Sequence, residues 1–178
     1  QVRVLVIDKT GTLTRGSARL AALRTLGAHG EAEVLRLAAS VDQASGHPVA
    51  RALVEEARGR GLILPQPAMV AESPGEGASG RVEGRLVIVG GARLMRRHGI
   101  VFPPAAGPRQ AAAAASTVLV AVDGTPAAVL DFADPLRTDG GRALMDLRAC
   151  GITRVVLATG DRRGVAEALV AGLPVDAI

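Results

Sequence analysis

Short apolar runs at both ends of the chain are typical of strands in a parallel sheet. Two strand-like runs and two helical periods occupy these ends: residues 2–7 and 154–158 for the strands, and residues 139–149 and 164–170 for the helices. Apolar, β-branched runs of this length suit strands that are buried on both faces. In the first helix Leu144 and Leu147 are predicted to face inward. Residues 1–16 and 132–178 are therefore predicted to form one α/β domain.

The middle of the chain, residues 17–131, has a different pattern. Helical periods cover residues 31–44 and 48–59. Shorter runs then predict five strands: residues 69–72, 79–83, 86–89, 118–122 and 127–130. Glu83-Gly84 and Asp123-Gly124 separate neighbouring runs in the manner of hairpin turns. The middle segment is therefore predicted to be an α+β domain of antiparallel sheet and helices, inserted into the outer domain.

Composition narrows the possible classes of protein. The 178 residues are 48% hydrophobic and 21% charged, which is typical of a globular chain. The net charge of +4 is carried by scattered arginines, and only two aromatic residues are present, so we expect no nucleic-acid binding. A single cysteine, Cys150, excludes a disulfide within the chain. No apolar run reaches the length of a membrane span, so this chain by itself is expected to be soluble.

Asp8 stands directly after the first apolar run and opens the sequence Asp-Lys-Thr-Gly-Thr-Leu-Thr. Ligands bind at the carboxyl ends of parallel strands, where a carboxylate can attack phosphorus and form an acyl phosphate. Thr10, Gly11 and Thr12 offer hydroxyl and backbone N–H groups to phosphate oxygens, and Lys9 adds positive charge. Mg²⁺ is implied, with Asp8 and Thr10 as predicted ligands, because phosphates and a carboxylate repel each other. A strand followed by an ordinary polar turn is the alternative.

This seven-residue motif resembles the phosphorylation motif of P-type ATPases, and nearly the whole chain resembles the cytoplasmic part of such a pump. The resemblance implies a haloacid dehalogenase-like phosphorylation domain, with an inserted nucleotide-binding domain, in which Asp8 takes the γ-phosphate of ATP. Phosphatases of that superfamily carry a second aspartate where this chain has Thr10, so slow hydrolysis of the phosphoenzyme is expected. Thr159, Gly160 and Asp161 match the family's TGD motif beside the phosphate. An N-cap that opens the last helix is the alternative for these three residues.

A Ser-x-His-Pro sequence that contains His47 resembles the signature of heavy-metal-transporting members, in which the histidine orients the adenine of ATP. Gly46 stands where that family usually has glutamate. Asp42 occupies the position of an acidic residue that lies near the adenine. The alternatives are a structural histidine at a helix start and, for Asp42, an acid on the surface of a helix.

Gly75 and Gly77 match the glycine-rich loop that ATP approaches closely in metal pumps, and Gly90 is expected near the same pocket. The spacing from Gly75 to Gly80 is that of a dinucleotide-binding turn, but strand-like residues follow it, so such a site is not expected. Arg137, in a segment that resembles the family's DPLR sequence, is predicted to meet a nucleotide phosphate. A solvated arginine in a turn is the alternative.

The resemblance further implies a parent protein at the cytoplasmic face of a membrane, with transmembrane and actuator domains and a transported heavy-metal cation. The family's lysine and GDGxND segment, which supplies another aspartate for Mg²⁺, are not found within the 178 residues. The chain is therefore expected to be an incomplete piece that is poorly active alone. Two other functions remain open, a soluble haloacid dehalogenase-type phosphatase and a non-catalytic nucleotide-binding module.

Overall fold

The computed structural model describes residues 2–104, 116–160 and 163–178, which fall into two units. The first unit holds described residues 2–17 and 133–178, and the second holds described residues 18–104 and 116–132. The elements occur along the chain in this order: β1 (Val4–Asp8), a five-residue turn (Lys9–Leu13), β2 (Arg19–Thr25), α1 (Glu31–Val41), a 3₁₀ turn (Asp42–Ala44), α2 (Pro48–Gly59), β3 (Ala68–Ser73), β4 (Gly77–Val82), β5 (Arg85–Gly90), α3 (Ala92–Arg97), β6 (Ser116–Val122), β7 (Thr125–Ala133), α4 (Gly140–Ala149), β8 (Arg154–Ala158) and α5 (Arg163–Val170).

The first unit is built on a parallel pair, β1 and β8. Alternate residues of these strands pack against α4 and α5 in one apolar cluster: Ile7, Leu144, Val155, Leu157, Ala166 and Val170 are buried there. The opposite face of β1 is open, with Val4 and Val6 exposed by 53% and 63%. The prediction that this strand is buried on both faces was wrong, because the described residues of the unit supply an apolar cover on one side alone.

The expectation that two leucines of α4 face inward was half wrong. Leu144 is buried, but Leu147 is exposed, although both were predicted to face inward. Leu144 is also the one residue of α4 that is buried. The face that α4 presents to the strands is therefore narrower than its apolar residues suggest.

The second unit is a six-stranded sheet in the order β2-β7-β6-β5-β4-β3. The pairs formed by β3, β4, β5, β6 and β7 are antiparallel. Helices α1 and α2 contribute buried residues to a large apolar cluster that includes Leu35, Leu53 and Phe132. A smaller cluster joins α3 to Ile88 and Leu119. The predicted strands and helices of this segment are all present, whereas β2 and α3 were not predicted.

Both predicted hairpin turns are confirmed by the backbone. Glu83 and Gly84 have φ of +51° and +82°, and Asp123 and Gly124 have φ of +48° and +79°. Two successive residues with positive φ produce the type I′ turn, whose twist matches that of the flanking strands. The turns fix the pairing of β4 with β5 and of β6 with β7.

Candidate functional site

The predicted phosphoryl acceptor, Asp8, lies at the carboxyl end of β1. Asp8 is exposed and is the register partner of Ala158, the last residue of β8. Because the two strands are parallel, Thr159 and Gly160 follow β8 at the edge of the sheet where β1 ends. The structure therefore brings Asp8, Thr159 and Gly160 to one edge. Asp161 lies outside the described residues.

The turn after Asp8 has an extended and then a left-handed residue. Thr10 is exposed with φ −80° and ψ 121°, and Gly11 has φ +79°. Lys9 is buried, so its side chain does not project freely from the loop. A residue other than glycine would be strained at position 11. Thr10 and Gly11 are exposed, so an oxygen-rich ligand can reach this turn, although the Gly11 N–H is already donated to Thr14.

Asp134 holds this loop in place, a role that the sequence did not suggest. The buried Thr14 hydroxyl donates to Asp134 Oδ2 at 2.6 Å and accepts the Gly11 N–H at 3.3 Å. The Ser17 N–H donates to the other carboxylate oxygen, also at 3.3 Å. A backbone bond from the Arg137 N–H to the Leu13 carbonyl, 2.9 Å, adds a third connection. The segment from 134 to 137 is therefore a support for the loop that follows Asp8.

Arg137 belongs to the first unit, and its side chain is half exposed. Its Nε donates to Asp139 Oδ1 at 3.2 Å. This hydrogen bond holds the pKa of Asp139 below its usual value. A nucleotide contact by Arg137 stays a prediction.

A cavity of about 230 Å³ opens in the second unit between the start of α2 and the strands β3 to β6. All five of the residues that were predicted to bind nucleotide within this unit line the cavity: Asp42, His47, Gly75, Gly77 and Gly90. Buried Ala50, Ala78 and Val89 provide an apolar floor, while His47 and Gly75 are exposed at the rim. A concave, largely apolar site with a few polar groups is the usual form of a small-molecule pocket.

Asp42 is the most unusual group of the cavity. It is 7% exposed, and among the described residues its carboxylate has neither a hydrogen bond nor an ion pair. Burial, and to a lesser degree the charge of Glu72, raises the pKa of Asp42 to about 7. The alternative of an acid on a helix surface is therefore wrong. Near neutral pH this carboxyl can serve as a donor or as an acceptor.

His47 caps a helix and also lines the cavity, and its contact with adenine stays a prediction. Its Nδ1 accepts the Val49 N–H at 3.3 Å, so the ring caps α2 while it lines the cavity. The backbone N–H of His47 donates to Ser45 Oγ at 3.3 Å, and the Ser45 hydroxyl donates to Glu72 at 2.8 Å. Ser45 and Glu72 also line the cavity, although neither was predicted to do so.

Two of the three predicted glycines are required by close packing. A Cβ at Gly77, where φ is +137°, would overlap the carbonyl oxygen of Val89, and a Cβ at Gly90 would overlap the carbonyl oxygen of Glu76. Gly75 has φ +73° with open space around it, so bare backbone faces the cavity there. The predicted strand after Gly75 is confirmed as β4, which begins at Gly77, whereas a dinucleotide-binding turn is followed by a helix.

A buried polar group behind the cavity was also missed by sequence reasoning. Thr117, which lines the cavity, donates its hydroxyl proton to Asp131 at 2.8 Å. Asp131 is buried and also accepts from Arg24 at 3.3 Å. Because the Thr117 hydroxyl donates its proton to Asp131, the hydroxyl oxygen of Thr117 can accept a hydrogen bond from a ligand. Residues 127–132 of β7 are buried without a break, and Asp131 is the polar residue among them.

Other kinds of site receive no support within the described ranges. No group of three or more His, Cys, Asp or Glu side chains is arranged to hold a metal ion among these residues. In the same part of the chain no helix combines the length and apolarity of a membrane span.

Comparisons with known proteins agree with this architecture. The haloacid dehalogenase-like hydrolase family model matches residues 2–177. A silver exporting P-type ATPase of Salmonella typhimurium is 36% identical over 180 residues, covering 100% of this chain and 22% of that protein. A zinc-transporting PIB-type ATPase in the E2.Pi state superposes with a TM-score of 0.74 at 30% identity, over 99% of this chain and 28% of the other.

A third comparison concerns an isolated domain. The N-domain of HMA6, a copper-transporting P-type ATPase, superposes with a TM-score of 0.55 at 34% identity, over 65% of this chain and 97% of that domain. The chain spans about a fifth of the length of the curated relatives that it matches. The predicted fold class, a haloacid dehalogenase-like unit with parallel strands and an inserted antiparallel unit, is confirmed. The chain therefore belongs to the haloacid dehalogenase-like hydrolases, and its relatives within that family are heavy-metal P-type ATPases.

Proposed function

We propose that the chain is the ATP-binding and phosphoryl-accepting region of a P-type ATPase that pumps a heavy-metal cation. In this proposal the first unit is the phosphorylation domain and the second unit is the nucleotide-binding domain. One observation carries the proposal: the exposed Asp8 carboxylate lies at the end of β1, in register with the end of β8, in a loop that Asp134 supports.

The proposed chemistry is a phosphoryl transfer to Asp8. A carboxylate oxygen of Asp8 attacks the γ-phosphorus of ATP, the bond from that phosphorus to the bridging oxygen breaks, and ADP leaves. Backbone N–H groups of the turn and of the segment at Thr159 and Gly160 are suited to the phosphate oxygens. Thr10 has no carboxylate with which to activate water, so the aspartyl phosphate is expected to persist.

The second unit supports the binding of the nucleotide. Its cavity has an apolar floor for a base, with Asp42 and His47 as polar groups and the bare backbone of Gly75 at the rim. Asp42 and the Thr117 oxygen can both meet the edge of a base, because each has unused hydrogen-bonding capacity. In this assignment Gly77 and Gly90 shape the cavity wall.

Mg²⁺ fits the first unit only as an ion shared with phosphate. The described residues contain no cluster of three side-chain ligands, and Asp8 is the exposed carboxylate of the loop. Mg²⁺ is usually held by one or two carboxylates together with substrate phosphates, and Asp8 and Thr10 would hold it here. The ion would neutralise phosphate charge, which lowers the repulsion between the nucleotide and Asp8.

The parent protein proposed from the relatives is an integral membrane pump with this region on its cytoplasmic face. Transmembrane and actuator domains, and the site for the transported metal, would lie in other parts of that protein. The chain alone is expected to transfer phosphate slowly.

Acid-quench labelling tests the proposal. Incubation with Mg²⁺ and ATP labelled on the γ-phosphate should give acid-stable label that hydroxylamine removes, as expected of an acyl phosphate. Asp8→Asn should abolish the label. Asp146→Asn, which alters an exposed acid of the same unit, is the matched control and should keep it. Label that survives Asp8→Asn would overturn the proposal, and binding of ATP without any label would favour a non-catalytic nucleotide-binding module.

A further inference from the structure

The glycine turn at the cavity rim carries an acid that is held by two arginines. Glu76 lies between Gly75 and Gly77. Its Oε1 is 2.9 Å from a guanidinium nitrogen of Arg93, and its Oε2 is 2.7 Å from one of Arg97. The hydrogen bond from Arg97 holds the pKa of Glu76 below its usual value, so the group is ionised at neutral pH. Glu76 itself lines the cavity.

The two arginines carry more charge than Glu76 neutralises. Arg93 and Arg97 stand one turn apart on α3, and their side chains are 78% and 65% exposed. Among the described residues, Glu76 is the acidic partner of both. The group therefore has a net charge of about +1, in a position that solvent and ligands can reach.

The charge around the rim is asymmetric. Glu72 lines the cavity near Asp42, whose pKa it helps to raise, whereas Glu76, in the glycine turn of the same cavity, is paired with Arg93 and Arg97. The cavity, at about 230 Å³, is smaller than the roughly 300 Å³ at which pockets for drug-sized ligands begin, so it suits the base and sugar of a nucleotide but not its phosphates as well. The phosphates of such a nucleotide would extend beyond the cavity. The negative charge of Glu72 disfavours a path on its side of the cavity.

We propose that Arg93 and Arg97 form the subsite for the phosphate groups of the bound nucleotide, and that the Glu76 carboxylate occupies this subsite until a phosphate displaces it. This inference rests on the proposed nucleotide-binding function of the second unit. Arginine binds phosphate and carboxylate in the same forked geometry, so the exchange preserves the hydrogen bonds of both guanidinium groups. A nucleoside without phosphate gains nothing from the exchange.

The main chain of Glu76 is held independently of its side chain. Its carbonyl accepts the Gly91 N–H at 2.8 Å, and its N–H donates to the Ser73 carbonyl at 2.9 Å. Glu76→Gln therefore removes the competing charge while it leaves the turn in place. This variant separates competition for the arginines from simple support of the cavity wall.

Calorimetric titration with ATP and with adenosine, in EDTA so that no transfer occurs, tests the subsite. Glu76→Gln should tighten ATP binding about threefold, and the double variant Arg93→Ala/Arg97→Ala should weaken it about tenfold. The affinity for adenosine should change less than about twofold in either variant. Arg96→Ala is the matched control, because Arg96 lies on the same helix and donates to the Ala92 carbonyl instead.

The outcomes distinguish this inference from the function on which it rests. If Glu76→Gln weakens ATP and adenosine equally, Glu76 only supports the wall and the subsite is refuted. If adenosine binds but the affinity for ATP is the same in all these variants, the subsite is also refuted, while the proposal of a nucleotide pocket is retained. If the unmodified chain binds neither ligand, the proposed function fails and the subsite fails with it.

Discussion

Substitution of Asp42 by asparagine should make the second unit more stable, and by an amount that depends on pH. The carboxylate of Asp42 lies in the cavity without a hydrogen bond or ion pair from any described residue. Ionisation of a buried and unpaired acid is unfavourable in the folded chain. Asparagine has nearly the same shape and never ionises, so it removes this cost.

The size of the effect follows from the raised pKa, which is about 7 in place of 3.8. Below about pH 4 the carboxyl is neutral in both states and there is no penalty. Between about pH 4 and pH 7 the unfolded chain loses the proton while the folded chain retains it, so stability falls as the pH rises. About 3 pKa units at about 1.4 kcal/mol each give an upper limit of about 4 kcal/mol, reached near pH 7.

Urea unfolding followed by circular dichroism measures this difference. The free energy of unfolding of Asp42→Asn, minus that of the unmodified chain, should rise by about 3 kcal/mol from pH 4.5 to pH 7.5. Glu55→Gln changes an exposed acid on α2 of the same unit and serves as the matched control. A constant difference for Asp42→Asn across this range would refute the raised pKa.

Three further predictions concern other parts of the structure. Gly77→Ala should destabilise the second unit by about 2 kcal/mol or more in urea titrations, because its Cβ would overlap a carbonyl oxygen of the next strand. Gly46→Ala, which has open space, should cost less than about 0.5 kcal/mol, and equal costs would contradict the overlap. Asp134→Ala should remove about 1–2 kcal/mol from the first unit and reduce phosphoryl labelling of Asp8, whereas full labelling would mean that the loop needs no such support. A backbone N–H of β8, together with an arginine, lowers the pKa of Asp176, so its ionised form stabilises the fold above about pH 4 and loses this effect at lower pH. Asp176→Asn should therefore melt below the unmodified chain at pH 7, and a gap that does not narrow as the pH falls from 7 to 3 would contradict this reasoning.

Periodicity predicted the elements of this fold better than it predicted their surroundings. The helix from residue 48 to 59 and the strand from 154 to 158 occur with the predicted bounds. The same reasoning wrongly predicted that both faces of β1 are buried, because an apolar run contains no information on how many layers of structure cover the strand. β2 was missed since its apolar run, residues 20–23, is short and stands between Arg19 and Arg24, and its pairing with β7 depends on residues far along the chain.

The candidate site divides in a similar way. His47 and Gly75 were predicted to lie near one pocket because each belongs to a short motif that resembles one of the metal pumps. Nothing local distinguishes Asp42 as buried, and the interaction of Thr117 with Asp131 depends on the alignment of β6 with β7. Tertiary structure alone brings Asp42 and Thr117 into the lining of one cavity, with Asp131 bonded to Thr117.

The hydrogen bond from the Ser17 N–H to Asp134 has a consequence for how the chain folds. Ser17 precedes the long inserted segment and Asp134 follows it, and yet the two residues are in contact. β1 and β8 are far apart in sequence, so closure of the chain between them carries a large entropic cost. If the inserted unit folds first, its ends meet near Ser17 and Asp134, and the effective loop becomes short. We therefore expect the parallel pair to form late, with the inserted unit acting as the template for its closure.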